Sequence, residues 1–155
     1  MNSNKLPFIT IEPKDSQFTA FLSVEGLLSL DDPEGVLQEA AEIYEHSVAK
    51  MRSLIAEMQN CRVHRKLMPA RMMWRLGDAI FQLKDELEAR SLQLDNTYAH
   101  LVRDLGVKRK WLEKAIIFRR YLPYEDLIPR SLNWGRCEKG TRRAAERLRN
   151  GLLPD

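Results

Sequence analysis

The chain has 155 residues, 44% of them hydrophobic and 30% charged, the balance of a soluble globular protein with room for one core. There is no run of about eighteen apolar residues, which excludes a membrane-spanning helix, and the opening MNSNKLPFITIEPKDSQ lacks the pattern of an export signal, so the expected location is the cytoplasm. The net charge of +3 is unevenly spread: residues 100–155 carry 14 Lys and Arg against 7 Asp and Glu, or +7, and the first 99 residues carry −4, a polarity suited to a protein whose C-terminal part meets a polyanion.

Taken in chain order, residues 1–31 read as an extended arm. LPFITIEP alternates enough for a short strand, but its flanking prolines predict an edge or an unpaired extension. SQFTAFLSVEGLLSL offers Phe18, Phe21, Leu22, Leu27 and Leu28 as packing contacts.

A helix is predicted to start at Asp31-Asp32-Pro33-Glu34, because an aspartate caps free N–H groups and proline suits the first turn. Leu37, Ala41, Tyr44, Val48, Met51, Ile55 and Met58 then recur at alternating spacings of 4 and 3, a heptad seam along about 26 residues, or roughly 40 Å of helix. NCRVHRK, at 60–66, interrupts the seam. A second helix follows from Pro69 to about Leu92, with Met72, Leu76, Ala79, Ile80, Leu83 and Leu87 as its stripe. Residues 32–94 are therefore expected to form a long antiparallel hairpin, whose seam can be met by its own partner helix or by a second chain, as a homodimer or with a protein partner.

Residues 98–117, YAHLVRDLGVKRKWLEKAII, carry the spacing of a helix-turn-helix. Leu101, Leu105, Val107, Leu112 and Ala115 occupy the positions that clamp two short helices, and Gly106 sits where the chain must turn through a left-handed conformation. Val102 departs from the pattern, which favours a small residue there. The second helix, starting at Lys108, would turn Lys108, Arg109, Lys110 and Lys114 toward a nucleic-acid groove, with Arg119 and Arg120 further along. YEDLIPR, at 124–130, reads as a short helical turn, and Leu132 and Trp134 as plugs at the base. A basic helix over 136–150 places Arg142 and Arg143 among its outward cations. The whole chain thus reads as all-α: an arm, a hairpin, then a helix-turn-helix and basic helix over 95–155.

Catalytic signatures are missing. No GxSxG, HExxH, Walker-type or GxGxxG pattern occurs, and Cys61, Cys137, His46, His64 and His100 are scattered without metal-ligand spacing. No enzyme activity, cofactor or metal is expected, both cysteines read as reduced thiols, and the five clustered methionines read as core.

Four segments carry a family resemblance: MMWRLGDAI at 72–80, YAHLVRDLG at 98–106, KRKWLEKAIIFRRYLP at 108–123 and LIPRSLNW at 127–134. Together they make residues 74–134 resemble the N-terminal helical domain of YhcG-type proteins, in which such a domain precedes a PD-(D/E)XK nuclease domain. They match that family's tryptophan-x-x-glycine helix, its helix-turn-helix and its leucine-x-tryptophan loop. Where the family has a serine-arginine-rich approach to the second helix, this chain has Val107-Lys108-Arg109-Lys110, and no nuclease domain follows. The resemblance implies a nucleic-acid-associated module without cutting activity. Double-stranded DNA is the expected ligand, as for a small prokaryotic transcription regulator or the DNA-binding subunit of a mobile-element or defence system. The second expectation is a helical adaptor that binds a protein through its hairpin and meets RNA or an acidic partner with its basic surface.

Overall fold

The computed structural model describes residues 6–22 and 30–155. It overturns the all-α expectation, because five helices pack, among the described residues, with a three-stranded mixed sheet. Strands β1 (Phe8–Lys14) and β2 (Gln17–Leu22) form an antiparallel hairpin across Asp15-Ser16, with Asp15 at φ 57°. The strand β3 (Gln93–Leu94) then adds parallel to β1, Phe8 facing Gln93 and Ile9 facing Leu94.

The predicted arm is therefore a hairpin, and β1 is the central strand. Its prolines permit this because they lie outside the doubly paired stretch. Pro7 precedes the strand and uses only its carbonyl, which accepts from the Gln93 N–H at 3.1 Å, and Pro13 comes after β3 has ended, so its missing donor leaves no gap in that ladder. The alternation of FITIEPK decides the strand's facing: Ile9 and Ile11 are fully buried, whereas Phe8 points outward and is half exposed. On β2, Phe18 and Leu22 pack against the core and Phe21 is exposed; Leu27 and Leu28 lie outside the described residues.

Helix α1 (Pro33–Val63) starts as its sequence predicts, the Asp32 carboxylate accepting from the Gly35 N–H at 3.2 Å. It runs for 31 residues, further than expected, and carries NCRV as its last turn before Arg65 turns the chain at φ 54°. Ala41, Tyr44, Val48, Met51, Ile55 and Met58 of the heptad seam are buried inside this one chain, against β2 and the helix α2 (Ala70–Glu88). Leu37, the first seam residue, stays half-buried. Helix α2 has no side-chain cap, and its first N–H is satisfied by the carbonyl of Leu132 at 2.9 Å.

Helix α3 (Thr97–Leu105) is capped by Asn96, which accepts from the Ala99 N–H at 3.1 Å, and α4 (Arg109–Tyr121) follows after Gly106 at φ 67°. Short 3₁₀ turns at Glu125–Leu127, Trp134–Arg136 and Glu138–Gly140 lead into α5 (Thr141–Arg149), a shorter final helix than the one expected. Helix α4 is the hub of the C-terminal half, packed against α2 on one side and α5 on another.

Helix α3 is bound to the sheet and to α1 by polar groups, of which His100 and Tyr44 are buried. The Ile11 N–H donates to His100 Nε2 at 3.0 Å, which leaves the ring proton on Nδ1 to donate to the carbonyl of Asn96 at 3.0 Å. The buried Tyr44 hydroxyl donates to Asp104, Arg103 donates to Asp104 at 2.7 Å and to the carbonyl of Ile11 at 2.7 Å, and Arg52 donates to the carbonyl of Asp104 at 2.9 Å. Desolvation pushes the Asp104 carboxyl up, but the hydrogen bonds from Arg103 and Tyr44 outweigh it and hold the group below the usual carboxylate range. A depressed carboxyl contributes stability that is present above its unfolded-state value and lost as pH falls through its lowered folded value. Asp104→Asn is expected to cost about 2 kcal/mol at neutral pH and to flatten the acid limb of stability, read by urea unfolding between pH 7 and pH 3.

Candidate nucleic-acid interface

The approach to α4 is built from a short break and a run of cations. Gly106 takes the left-handed conformation with an open surrounding, and its N–H closes α3 by donating to the carbonyl of Val102 at 3.0 Å. Leu101, Leu112 and Ala115 are buried, Leu105 and Val107 are partly buried against the core, and Val102 fits the half-buried position where the sequence pattern favours a smaller side chain. Lys108 is the N-cap of α4 and contributes no side-chain cap, and the first turn holds no acidic residue. Lys108, Arg109 and Lys110 are all exposed there. Three cations at the positive end of a helix dipole repel that end by about 0.3–1 kcal/mol each, so the arrangement favours an anion more than it favours the fold.

The other expected cations separate into different settings. Arg109 lies over the Tyr98 ring at 4.7 Å and pairs with Glu113 at 2.9 Å, contacts that aim its guanidinium while leaving it exposed. Lys114 is half-buried and 4.0 Å from Glu138. Arg120 is exposed, and among the described residues Lys108, Lys110 and Arg120 have no ion-pair partner. Arg119 is not brought to this surface. Its side chain turns to α2, where it pairs with Asp78 at 2.9 Å and lies 5.1 Å from the centroids of both Trp74 and Phe81, so it holds α4 against α2.

Helix α5 supplies a second basic edge beside the C-terminal end of α4. Arg142 lies over the Tyr121 ring at 4.5 Å and bonds Glu146 at 3.1 Å. Arg143 pairs with Asp155 at 2.8 Å, and the same carboxylate lies 3.6 Å from Arg147. The first turn of α5, like that of α4, is basic and lacks an acid. The sequence pattern found the cations but missed the tyrosines and acids that orient them, since Tyr98, Tyr121, Glu138 and Asp78 come from separate elements.

Burial pushes the Cys137 thiol up to about 11, which keeps it protonated, and Cys61 is a second free thiol. Among the described residues no three His, Cys, Asp or Glu side chains converge to hold a metal ion, and no helix is long and apolar enough to cross a membrane. No protein-family model, no characterised protein and no solved structure matches the chain.

Proposed function

We propose that this chain binds double-stranded DNA through the N-terminal turn of α4, with α5 extending the contact along the phosphate backbone. The observation that carries the reading is the coincidence of a glycine-broken helix pair with three exposed cations, Lys108, Arg109 and Lys110, at the uncapped start of its second helix. In this reading Lys108, Lys110, Lys114 and Arg120 contact phosphates. Arg109, held over Tyr98, is the candidate for a guanine edge, because a planar guanidinium offers two parallel donors to O6 and N7. Arg142 and Arg143 meet phosphates further along the duplex. The proposal includes kinship with the YhcG-type helical domains, carried by the four segments of resemblance.

Fluorescence-anisotropy titration with a labelled duplex at several salt concentrations tests it. Each neutralised phosphate contributes about −0.9 to the slope of log K against log salt, so contacts by Lys108, Lys110, Lys114 and Arg120 predict a slope near −3.6 or steeper. A flat salt response would end the proposal. Selection from random duplexes then separates base reading from backbone binding, because only base reading enriches a sequence.

A further inference from the structure

A groove of about 520 Å³ runs between β2 and α1. Its strand wall is made of four consecutive residues, 17–20, so it presents side chains of both alternating directions together with the edge of β2, which among the described residues pairs only with β1. Its helix wall runs from Glu34 to Glu45, twelve residues spanning about 16 Å of helix. That length matches about five residues of extended peptide.

The floor of the groove is apolar, with Phe18 and Ala20 from β2 and Leu37 and Ala41 from α1. Its helix rim carries Glu34, Glu42 and Glu45, all exposed and none paired with a described cation, and no Lys or Arg lines it. The edge strand QFTAFL also lacks the charged or proline residues that commonly keep a sheet edge from pairing.

We propose that this groove takes an extended basic segment of a partner protein, which adds to the edge of β2 as a further strand. Alternate side chains fill the floor over Phe18 and Leu37, and intervening Lys or Arg side chains meet Glu34, Glu42 and Glu45. Main-chain hydrogen bonds supply affinity in strand addition, while the alternation and charge of the side chains supply selectivity. This surface is separate from the basic helices, so the proposal stands or falls independently of DNA binding.

The test uses the full chain and two fluorescein-labelled peptides of identical composition, the alternating VKVKVKV and the block peptide KKKVVVV. The alternating peptide is expected to bind at least about ten-fold more tightly than the block peptide, and to slow amide hydrogen exchange over residues 17–21. Glu34→Gln, Glu42→Gln and Glu45→Gln combined should weaken its binding at least about ten-fold while leaving the circular dichroism spectrum unchanged and lowering Tm by no more than a few degrees, since all three side chains are exposed and only Glu34, in the first turn of α1, supports its helix, by about 0.3–1 kcal/mol. Equal binding of both peptides would reduce the effect to charge attraction and overturn the proposal, as would no binding at all. Two further results would overturn it by naming another occupant. One is slow exchange, in the free monomer, of those β2 amides that face away from β1, which marks a groove filled by the chain itself; the other is a peptide-free dimer dissociated by the triple variant.

Discussion

Replacing Lys108, Arg109 and Lys110 together by alanine is expected to weaken duplex binding by about a hundred-fold or more at low salt and to reduce the magnitude of the salt slope by about 1.8, the share of the phosphate contacts of Lys108 and Lys110. The same change should leave Tm unchanged or slightly raised, because it removes three cations from the positive end of α4, each unfavourable by about 0.3–1 kcal/mol, and sacrifices the exposed Arg109–Glu113 pair, worth about 0.3–0.5 kcal/mol, and the Arg109–Tyr98 contact, worth about 0.5–1 kcal/mol. That opposition between binding and stability separates a ligand contact from a structural one. Arg119→Ala is the complementary measurement. It should lower Tm, since the guanidinium joins Asp78 and the Trp74 and Phe81 rings across the α2–α4 contact, and leave the salt slope nearly intact. A triple variant that binds DNA like the parent would show that the cations are merely solvated.

Gly77→Ala should destabilise the protein by about 3 kcal/mol, lowering Tm by about 6–12 °C in a chain of this size. A β-carbon built at Gly77 lies 2.2 Å from the carbonyl oxygen of Ala115 and 2.8 Å from the β-carbon of Arg119, so it meets backbone, and no side-chain rotation relieves it. The two helices must separate, and the bonds that depend on their approach weaken with them: the Trp74 indole N–H to the carbonyl of Leu122 at 2.8 Å, and Arg119 to Asp78. The higher helix propensity of alanine, about 1 kcal/mol, offsets only part of this. Gly140→Ala is the steric control, since no atom lies within 4 Å of a β-carbon there, and its melt should fall only by the roughly 1 kcal/mol or less that alanine loses to glycine as the N-cap of α5. A Gly77→Ala melt equal to that control would show that α2 and α4 do not touch at this point.

The same contacts give a physical meaning to the segments on which the proposed kinship with YhcG-type domains rests. Trp74 closes the C-terminal end of α4 and Gly77 lets α2 approach it, while the leucine-x-tryptophan loop returns to the start of α2, where Leu132 accepts from Ala70 and the backbone N–H of Trp134 donates to Met68 at 2.7 Å. Each motif is a tertiary contact, and none of them is a reactive group. The proposed kinship therefore rests on how the C-terminal half is held together, and its basic surface carries the functional reading.

What could be read from sequence alone was local. The Asp32 cap, the buried stripe from Ala41 to Met58, the left-handed turn at Gly106 and the cations that follow it depend on dihedral preference, helical period and charge, all written within a few neighbouring residues. Only the tertiary structure decided the rest. The central place of β1 depends on β3, a two-residue strand too short to leave a periodic signal, and the burial of Ile11 depends on His100, which satisfies its N–H from a distant helix. Arg119 and Arg120 are chemically identical neighbours in sequence, yet one is fixed between α4 and α2 and the other faces solvent. Their difference lies in which way the helix turns each of them and what packs against it, and that is set by Gly77 and Asp78 on the neighbouring helix.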